Sequence, residues 1–180
     1  MEGYRCFACA AVQPVDFGGF LCPDCGGNLD IFYDYEAVSL ELGDGFNPAS
    51  NDLFRYRALL PIREPETGFP LRIGGTPLYR ADRLGEVAGL RQLYIKDDSA
   101  TPSASLKDRA GAVALCRAIE TGASVVATAS TGNAGSSMAC LAAALGLRAV
   151  VFVPEQAPAA KLTQLLSYGA QVFAVRGNYD

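Results

Sequence analysis

The sequence predicts an α/β fold, a largely parallel sheet flanked by helices, with a small cysteine-rich segment ahead of it. Three observations carry this. β-branched runs of strand length alternate with alanine-rich helical runs from residue 93 to residue 175. A Gly-containing turn, Ser130-Thr131-Gly132-Asn133-Ala134-Gly135, joins one such strand to the next helix. Four of the six cysteines gather near the amino terminus in two C-x-x-C pairs.

The cysteines come first in chain order. Cys6-Phe7-Ala8-Cys9 is followed by twelve intervening residues and then by Cys22-Pro23-Asp24-Cys25-Gly26-Gly27. Paired knuckles let two thiolates from each turn converge on one tetrahedral Zn²⁺, and glycines after the second knuckle permit a tight turn. Residues 1–30 therefore read as a zinc ribbon with Cys6, Cys9, Cys22 and Cys25 as ligands. Four sulfur ligands leave no position for water, so the zinc is expected to be structural. The segment has few large apolar side chains, and zinc would supply about 10–16 kcal/mol of apparent binding energy to its folding. Two disulfides or a redox C-x-x-C are the rival readings; a cytosolic chain without a thioredoxin-like βαβ pattern around the motif suits them poorly. Cys116 and Cys140 lie in alanine-rich helical stretches and are expected to be buried small apolar residues.

Residues 29–35 read as a strand or extended link and residues 43–50 as a loop. Residues 53–60 read as a short helix ending before Pro61, and residues 65–75 as a turn-rich stretch, so 31–75 connects the ribbon to a larger domain over 76–180. From residue 78 the pattern is regular: strand 93–96, helix 106–121, strand 124–129, helix 135–145, strand 149–153, helix 159–168, strand 171–175. This alternation means βαβ units with right-handed crossovers and a largely parallel sheet. The alanine density of residues 139–144 lets a helix approach the sheet closely.

Two places in this pattern can carry chemistry. The loop Thr101-Pro102-Ser103-Ala104-Ser105 leads into Leu106-Lys107-Asp108-Arg109, and Ser105 with Asp108 three residues later forms a helix-capping signature before the apolar run 110–115. Lys107 is thereby expected in the first helical turn, facing the unpaired amides and the positive end of the dipole, where a lysine can serve as a nucleophile. An exposed lysine on an ordinary helix start has the same local signature. The second place is the turn over residues 130–135. Hydroxyls, a flexible glycine and an amide between a strand's carboxyl end and a helix's amino end suit a carboxylate or a phenolic oxygen. Ser and Asn also cap helices that bind nothing.

In this order and spacing, the two segments resemble the pyridoxal phosphate enzymes of fold type II, the tryptophan synthase β family, and within it the threonine synthase branch most closely. The resemblance begins at Gly74-Gly75-Thr76-Pro77-Leu78, passes through Tyr94-Ile95-Lys96-Asp97-Asp98 and continues to Gly177-Asn178-Tyr179-Asp180. It implies a parallel three-layer αβα sheet, present here in incomplete form. It further implies that Lys107 holds pyridoxal 5'-phosphate covalently, that Asn133 hydrogen-bonds the cofactor's ring oxygen, and that Ser130, Thr131 and Gly132 bind the carboxylate of an amino-acid substrate. Some bacterial and archaeal members of the branch carry a ribbon ahead of the catalytic domain, as this chain does.

The implied reaction is that of a lyase of threonine biosynthesis, O-phosphohomoserine plus water giving threonine and phosphate, in a homodimer. Lys96 is a candidate for the substrate phosphate, a solvated strand-end lysine being the alternative. Asp108 and Arg109 are expected to be structural. The chain departs from the family pattern at Leu106, often Phe; at Ala104, commonly Gly; and at Ala134, a threonine in many members of the branch. The last change removes a hydroxyl beside the substrate site, so threonine dehydratase and cysteine synthase chemistry stay open, as does a non-catalytic zinc-binding fragment. The family's glycine-rich loop for the cofactor phosphate and its Ser or Thr facing the pyridine nitrogen have no match here. The chain is therefore expected to be the amino-terminal part of such an enzyme, binding cofactor weakly and turning over little by itself.

Composition narrows the alternatives. The 180 residues, half of them apolar, suffice for one core and a small appendage. A net charge of −4 gives no electrostatic reason for nucleic acid or an anionic membrane as partner. The chain has no histidine, which excludes Ser-His-Asp and Cys-His nucleophile pairs and histidine metal sites within it, and no Walker A loop. Proton transfer then falls to lysine, carboxylates, tyrosine or a cofactor. Met1-Glu2-Gly3-Tyr4-Arg5 has no apolar run behind it, and the greasy stretch 138–153 is broken by Gly146 and Arg148, so a soluble cytoplasmic protein is expected.

Overall fold

The computed structural model describes residues 1–43, 45–46, 50–62 and 69–177. The chain divides into two compact units, Met1–Ser50 with Phe54–Pro65, and Asn51–Leu53 with Glu66–Asp180. Residues 44 and 47–49 of the expected loop, residues 63–68 of the connector and the terminal Asn178, Tyr179 and Asp180 lie outside the described residues.

In the first unit, β1 (Gly3–Cys6), β2 (Val12–Gln13) and β3 (Leu29–Phe32) form an antiparallel sheet in the order β2-β1-β3. Cys6 lies opposite Leu29, and Arg5 opposite Asp30. Each C-x-x-C closes on itself, Ala10 N donating to Cys6 O and Gly26 N to Cys22 O. The expected strand over 29–35 stops at Phe32. The reason is Asp34, whose carboxylate accepts from Ala37 N at 3.0 Å and caps a helix the sequence reading missed, α1 (Tyr35–Leu42). Residues Leu53–Leu59 form a 3-10 helix, interrupted at Tyr56.

The second unit holds two separate sheets. β4 (Leu78–Arg80) and β5 (Tyr94–Lys96) pair antiparallel around α2 (Asp82–Ala88). The expectation that the strand near residue 94 belongs to the parallel sheet is thus corrected. A central parallel strand reads as a near-continuous apolar run, whereas β5 is three residues long and runs into the charged Lys96-Asp97-Asp98. Such runs are supplied by β6 (Val125–Ala129), β7 (Arg148–Pro154) and β8 (Gln171–Val175), which pair in parallel in that order.

Between these strands run α3 (Lys107–Glu120), α4 (Asn133–Ala144) and α5 (Ala159–Ser167). α4 packs on β6 and β7, α5 packs on β8, and α3 packs on α4. The core is built from Ala112, Leu115, Ala139, Leu141, Ala142, Val151, Val153 and Leu165, all essentially inaccessible to solvent. A fully buried Leu of this kind contributes roughly 1.5–3 kcal/mol by leaving water. On the other side chains of the sheet, Val125, Phe152, Phe173 and Val175 stay 38–51% exposed. Phe152 pairs with Phe173 in register, their rings stacked 5.6 Å apart. One helical layer of the three-layer expectation is present; the second is not found among the described residues. Cys116 is buried as expected, while Cys140 is only half-buried.

Candidate active site

Lys107 is the first residue of α3, and its side chain is exposed. Among the described residues its ammonium has no hydrogen-bond or ion-pair partner. The helix start is built differently from the capping signature. Ser105 Oγ does accept from Lys107 N at 3.2 Å. Asp108, however, does not return to Ser105 N, which donates to Thr101 Oγ1 at 2.9 Å. The fully buried Asp108 carboxylate takes Ser103 N at 2.7 Å and Ser103 Oγ at 2.5 Å. Thr101 Oγ1 donates to Ser105 O at 2.7 Å and closes the loop from the other side. Between these clasps Ala104 is held at φ +58°, a left-handed conformation that accounts for glycine being common there in the family it resembles.

A second network meets α3 two residues after the lysine. Arg109 Nη1 and Nη2 each donate to an oxygen of Asp98 at 2.8 Å, and Thr76 Oγ1 donates to Asp98 Oδ1 at 2.8 Å. The Arg109 hydrogen bonds, followed by that of Thr76, hold the Asp98 carboxyl below its ordinary value. Lys96 Nζ donates to Thr76 O at 2.5 Å. Thr76 follows a sharp turn at Gly75, whose φ is +59° and where a Cβ would fall 1.9 Å from Asn51 O. Only glycine fits there.

The turn over residues 130–135 is organised by one hydroxyl. Ser130 Oγ accepts from Gly132 N at 3.2 Å and from Gly135 N at 3.1 Å. Both lone pairs are thereby used, and the O–H is left to donate to an incoming oxygen. Gly135 lies so close that a Cβ would come within 2.6 Å of Ser130 O. Thr131 and Gly132 are half-buried in the turn, and Asn133 opens α4 two residues earlier than the sequence pattern indicates. Asn133 Oδ1 accepts from Lys161 Nζ at 3.2 Å. Within this unit α3 crosses α4 at Gly111, where a Cβ would meet Ser137 Oγ at 2.7 Å. Among the described residues no hydrogen bond links Lys107 to Ser130, Gly132 or Asn133.

In the first unit the sulfurs of Cys6, Cys9, Cys22 and Cys25 all lie within 4.8 Å of one another. Cys6–Cys25 measures 3.5 Å, Cys9–Cys22 3.6 Å and Cys9–Cys25 3.4 Å. Gly27 leaves open the space beside Cys6 and Cys25, its missing Cβ falling 3.1 and 3.3 Å from their sulfurs. The Cys9 backbone amide is the largest influence lowering the Cys6 thiol to about 6. For Cys9 the Ala11 amide acts downward, yet the neighbouring thiols of Cys25 and Cys22 push it up to about 12.

A sequence profile for pyridoxal-phosphate dependent enzymes matches residues 70–180, the part that holds Lys107 and the Ser130 turn. The chain belongs to that family. Among its curated relatives are the threonine synthases of Methanosarcina acetivorans, 38% identical over 182 residues and 100% of this chain, and of Methanocaldococcus jannaschii, 39% identical over 178 residues and 98% of this chain. The chain spans 44% of the length of each. Among solved structures, a pyridoxal 5'-phosphate-dependent aspartate racemase aligns with a TM-score of 0.53 at 30% identity, covering 58% of this chain and 33% of the racemase. The serine racemase of Dictyostelium discoideum aligns with a TM-score of 0.52 at 30% identity, over 56% of this chain and 33% of its own. Neither Lys161 nor Thr76 stands out in the sequence as a candidate residue. Lys161 becomes visible only when α5 packs beside α4, a contact for which the sequence holds no local signal.

Proposed function

We propose that this chain supplies the lysine and the substrate turn of a threonine synthase-like lyase that converts O-phosphohomoserine and water to threonine and phosphate. One observation carries the reading: identity of 38–39% to two threonine synthases extends over 98–100% of the chain, the cysteine ribbon included. The racemases of similar fold align with only 56–58% of it.

The residues present suit pyridoxal 5'-phosphate. An amine without a partner at a helix start can condense with an aldehyde, and a hydroxyl with a free O–H beside Gly132 N can meet a carboxylate. When bound, the cofactor supplies a ring that withdraws the electron pair left as a substrate C–H bond breaks. Lys107 Nζ holds the cofactor and afterwards carries protons between substrate carbons. Ser130, Thr131 and Gly132 orient the substrate carboxylate, and Asn133 holds the cofactor's ring oxygen. Lys96 Nζ keeps two N–H donors beyond its bond to Thr76 O, and these are offered to the substrate phosphate. Arg109 and Asp98 hold the first turn of α3, and with it the backbone of Lys107.

Cys6, Cys9, Cys22 and Cys25 are read as the ligands of one structural Zn²⁺. Tetrahedral zinc with bonds of about 2.3 Å sets neighbouring sulfurs about 3.8 Å apart, close to the separations of 3.4–3.6 Å. Residues 1–30 then form the ribbon, 31–75 the connector and 76–180 the amino-terminal part of the catalytic domain. A cytoplasmic homodimer acting on an amino-acid substrate completes the reading.

The test is an assay of the full-length protein with O-phosphohomoserine. Equal release of phosphate and threonine, lost in Lys107→Ala, is expected. Ammonia release or racemisation of serine or threonine, without phosphate release from O-phosphohomoserine, would place the chain with the racemase and dehydratase chemistries instead.

A further inference from the structure

α4 and α5 meet along a polar seam of two rungs. Lys161 Nζ donates to Asn133 Oδ1 at 3.2 Å, and Ser136 Oγ donates to Gln164 Oε1 at 3.0 Å. On each helix the two residues are three apart, so they stand one turn above the other on a single face. The inner rung is the better protected, Ser136 being buried and Gln164 half-buried. It fixes the height of α5 along α4 and so places Lys161 beside the first residue of α4.

An asparagine amide offers an acceptor on one side and two donors on the other, and its partners decide which way round it sits. An ammonium group can only donate. Lys161 can therefore engage Asn133 through Oδ1 alone, which leaves the Nδ2 donors on the other side of the amide. Among the described residues no carboxylate pairs with Lys161, so its charge adds to the positive end of the α4 dipole. A negatively charged oxygen placed there meets a donor and a cation together.

We propose that Lys161 is a positioning residue: it orients the Asn133 amide so that Nδ2 donates to the cofactor's ring oxygen and favours that oxygen in its ionised form. This rests on the reading of Asn133 as the ring-oxygen partner.

The test loads full-length protein with pyridoxal 5'-phosphate and compares wild type, Lys161→Met and Lys161→Arg. Lysine-bound cofactor absorbs in separate bands when its ring oxygen is ionised and when it is protonated. In Lys161→Met the ionised band should lose intensity to the protonated one, and cofactor affinity should fall about fivefold, the loss of roughly one oriented hydrogen bond. Lys161→Arg, which keeps a donor and the charge, should recover most of both. A Lys161→Met spectrum and affinity equal to wild type would overturn the proposal. If wild type takes up no lysine-bound cofactor, the functional reading fails, and the orientation is read in the cofactor-free protein. There the side-chain NH₂ resonances of Asn133, identified by their loss in Asn133→Asp, should move in Lys161→Met and stay near place in Lys161→Arg. Resonances indifferent to Lys161→Met would overturn it equally.

Discussion

Arg109 grips Asp98 with both terminal nitrogens, each 2.8 Å from a carboxylate oxygen, two residues along α3 from Lys107. The pair ties the lysine helix to the segment after β5, and through Thr76 to the turn at Gly75. Three donors converge on one carboxylate whose side chain is only 31% exposed. A bidentate Arg–carboxylate pair of this kind adds direction as well as energy.

The pair has a pH signature. Arg109, and then Thr76, keep the Asp98 carboxyl below its ordinary value of 3.8. A carboxyl lowered in the folded state stabilises it above the unfolded value, and that contribution is lost as pH falls through the folded value. Thermal midpoints of wild type should therefore fall more steeply than those of Asp98→Asn between about pH 5 and pH 2. Parallel profiles would mean that the pair contributes nothing to the fold.

Ala104 is a second point of leverage. Its φ of +58° costs a non-glycine residue roughly 1–2 kcal/mol, while glycine gives back about 0.4–1 kcal/mol through the unfolded chain. Ala104→Gly should stabilise the protein by about 0.5–1 kcal/mol, raising the thermal midpoint by roughly 1–4 °C. A lowered midpoint would contradict the left-handed conformation.

Gly135→Ala should act in the opposite sense. The new methyl would meet Ser130 O at 2.6 Å, and neither the turn nor α4 can move without breaking the bonds to Ser130 Oγ. Overpacking of this kind costs about 1–3 kcal/mol. Ser130→Ala should leave Gly132 N and Gly135 N without their acceptor and raise KM for the substrate more than it changes cofactor affinity. Denaturant titration and steady-state kinetics of the two variants check both statements.

Metal analysis of full-length protein should find one zinc per chain. Removing it with a chelator should abolish amide-exchange protection over Gly3–Cys6 and Leu29–Phe32, because zinc contributes about 10–16 kcal/mol to segments of this size. Protection that survives in metal-free protein would show that the ribbon holds itself by other means.

Much of this architecture is legible in the sequence, for local reasons. The β-branched runs give β6, β7 and β8 nearly to the residue, and the cysteine spacing gives a cluster that the fold closes to within 4.8 Å. α1 also had a local signal, Asp34 as cap, hidden because Ile31-Phe32-Tyr33 reads on as a strand. α2 had signals only at its ends, Asp82 in the first turn and Gly89 as a left-handed cap, while Ala81 gives no side-chain cap and Gly85 sits in its interior. Lys107 and Ser130 are candidates readable in the sequence because one segment supplies each of them. The candidate site was illegible where two segments meet. Asp108 turning back to Ser103, Arg109 reaching Asp98 and Lys161 reaching Asn133 are products of packing.

Whether Lys107 carries the cofactor is decided by trapping. Full-length protein is loaded with pyridoxal 5'-phosphate, reduced with borohydride and digested, and the modified peptide is located by mass spectrometry. In this chain the amines open to reaction are those of Lys96, Lys107, Lys161 and the amino terminus. The adduct is expected on Lys107 and should disappear in Lys107→Ala. An adduct on Lys96 or Lys161 at equal yield, or one that persists in Lys107→Ala, would contradict that assignment.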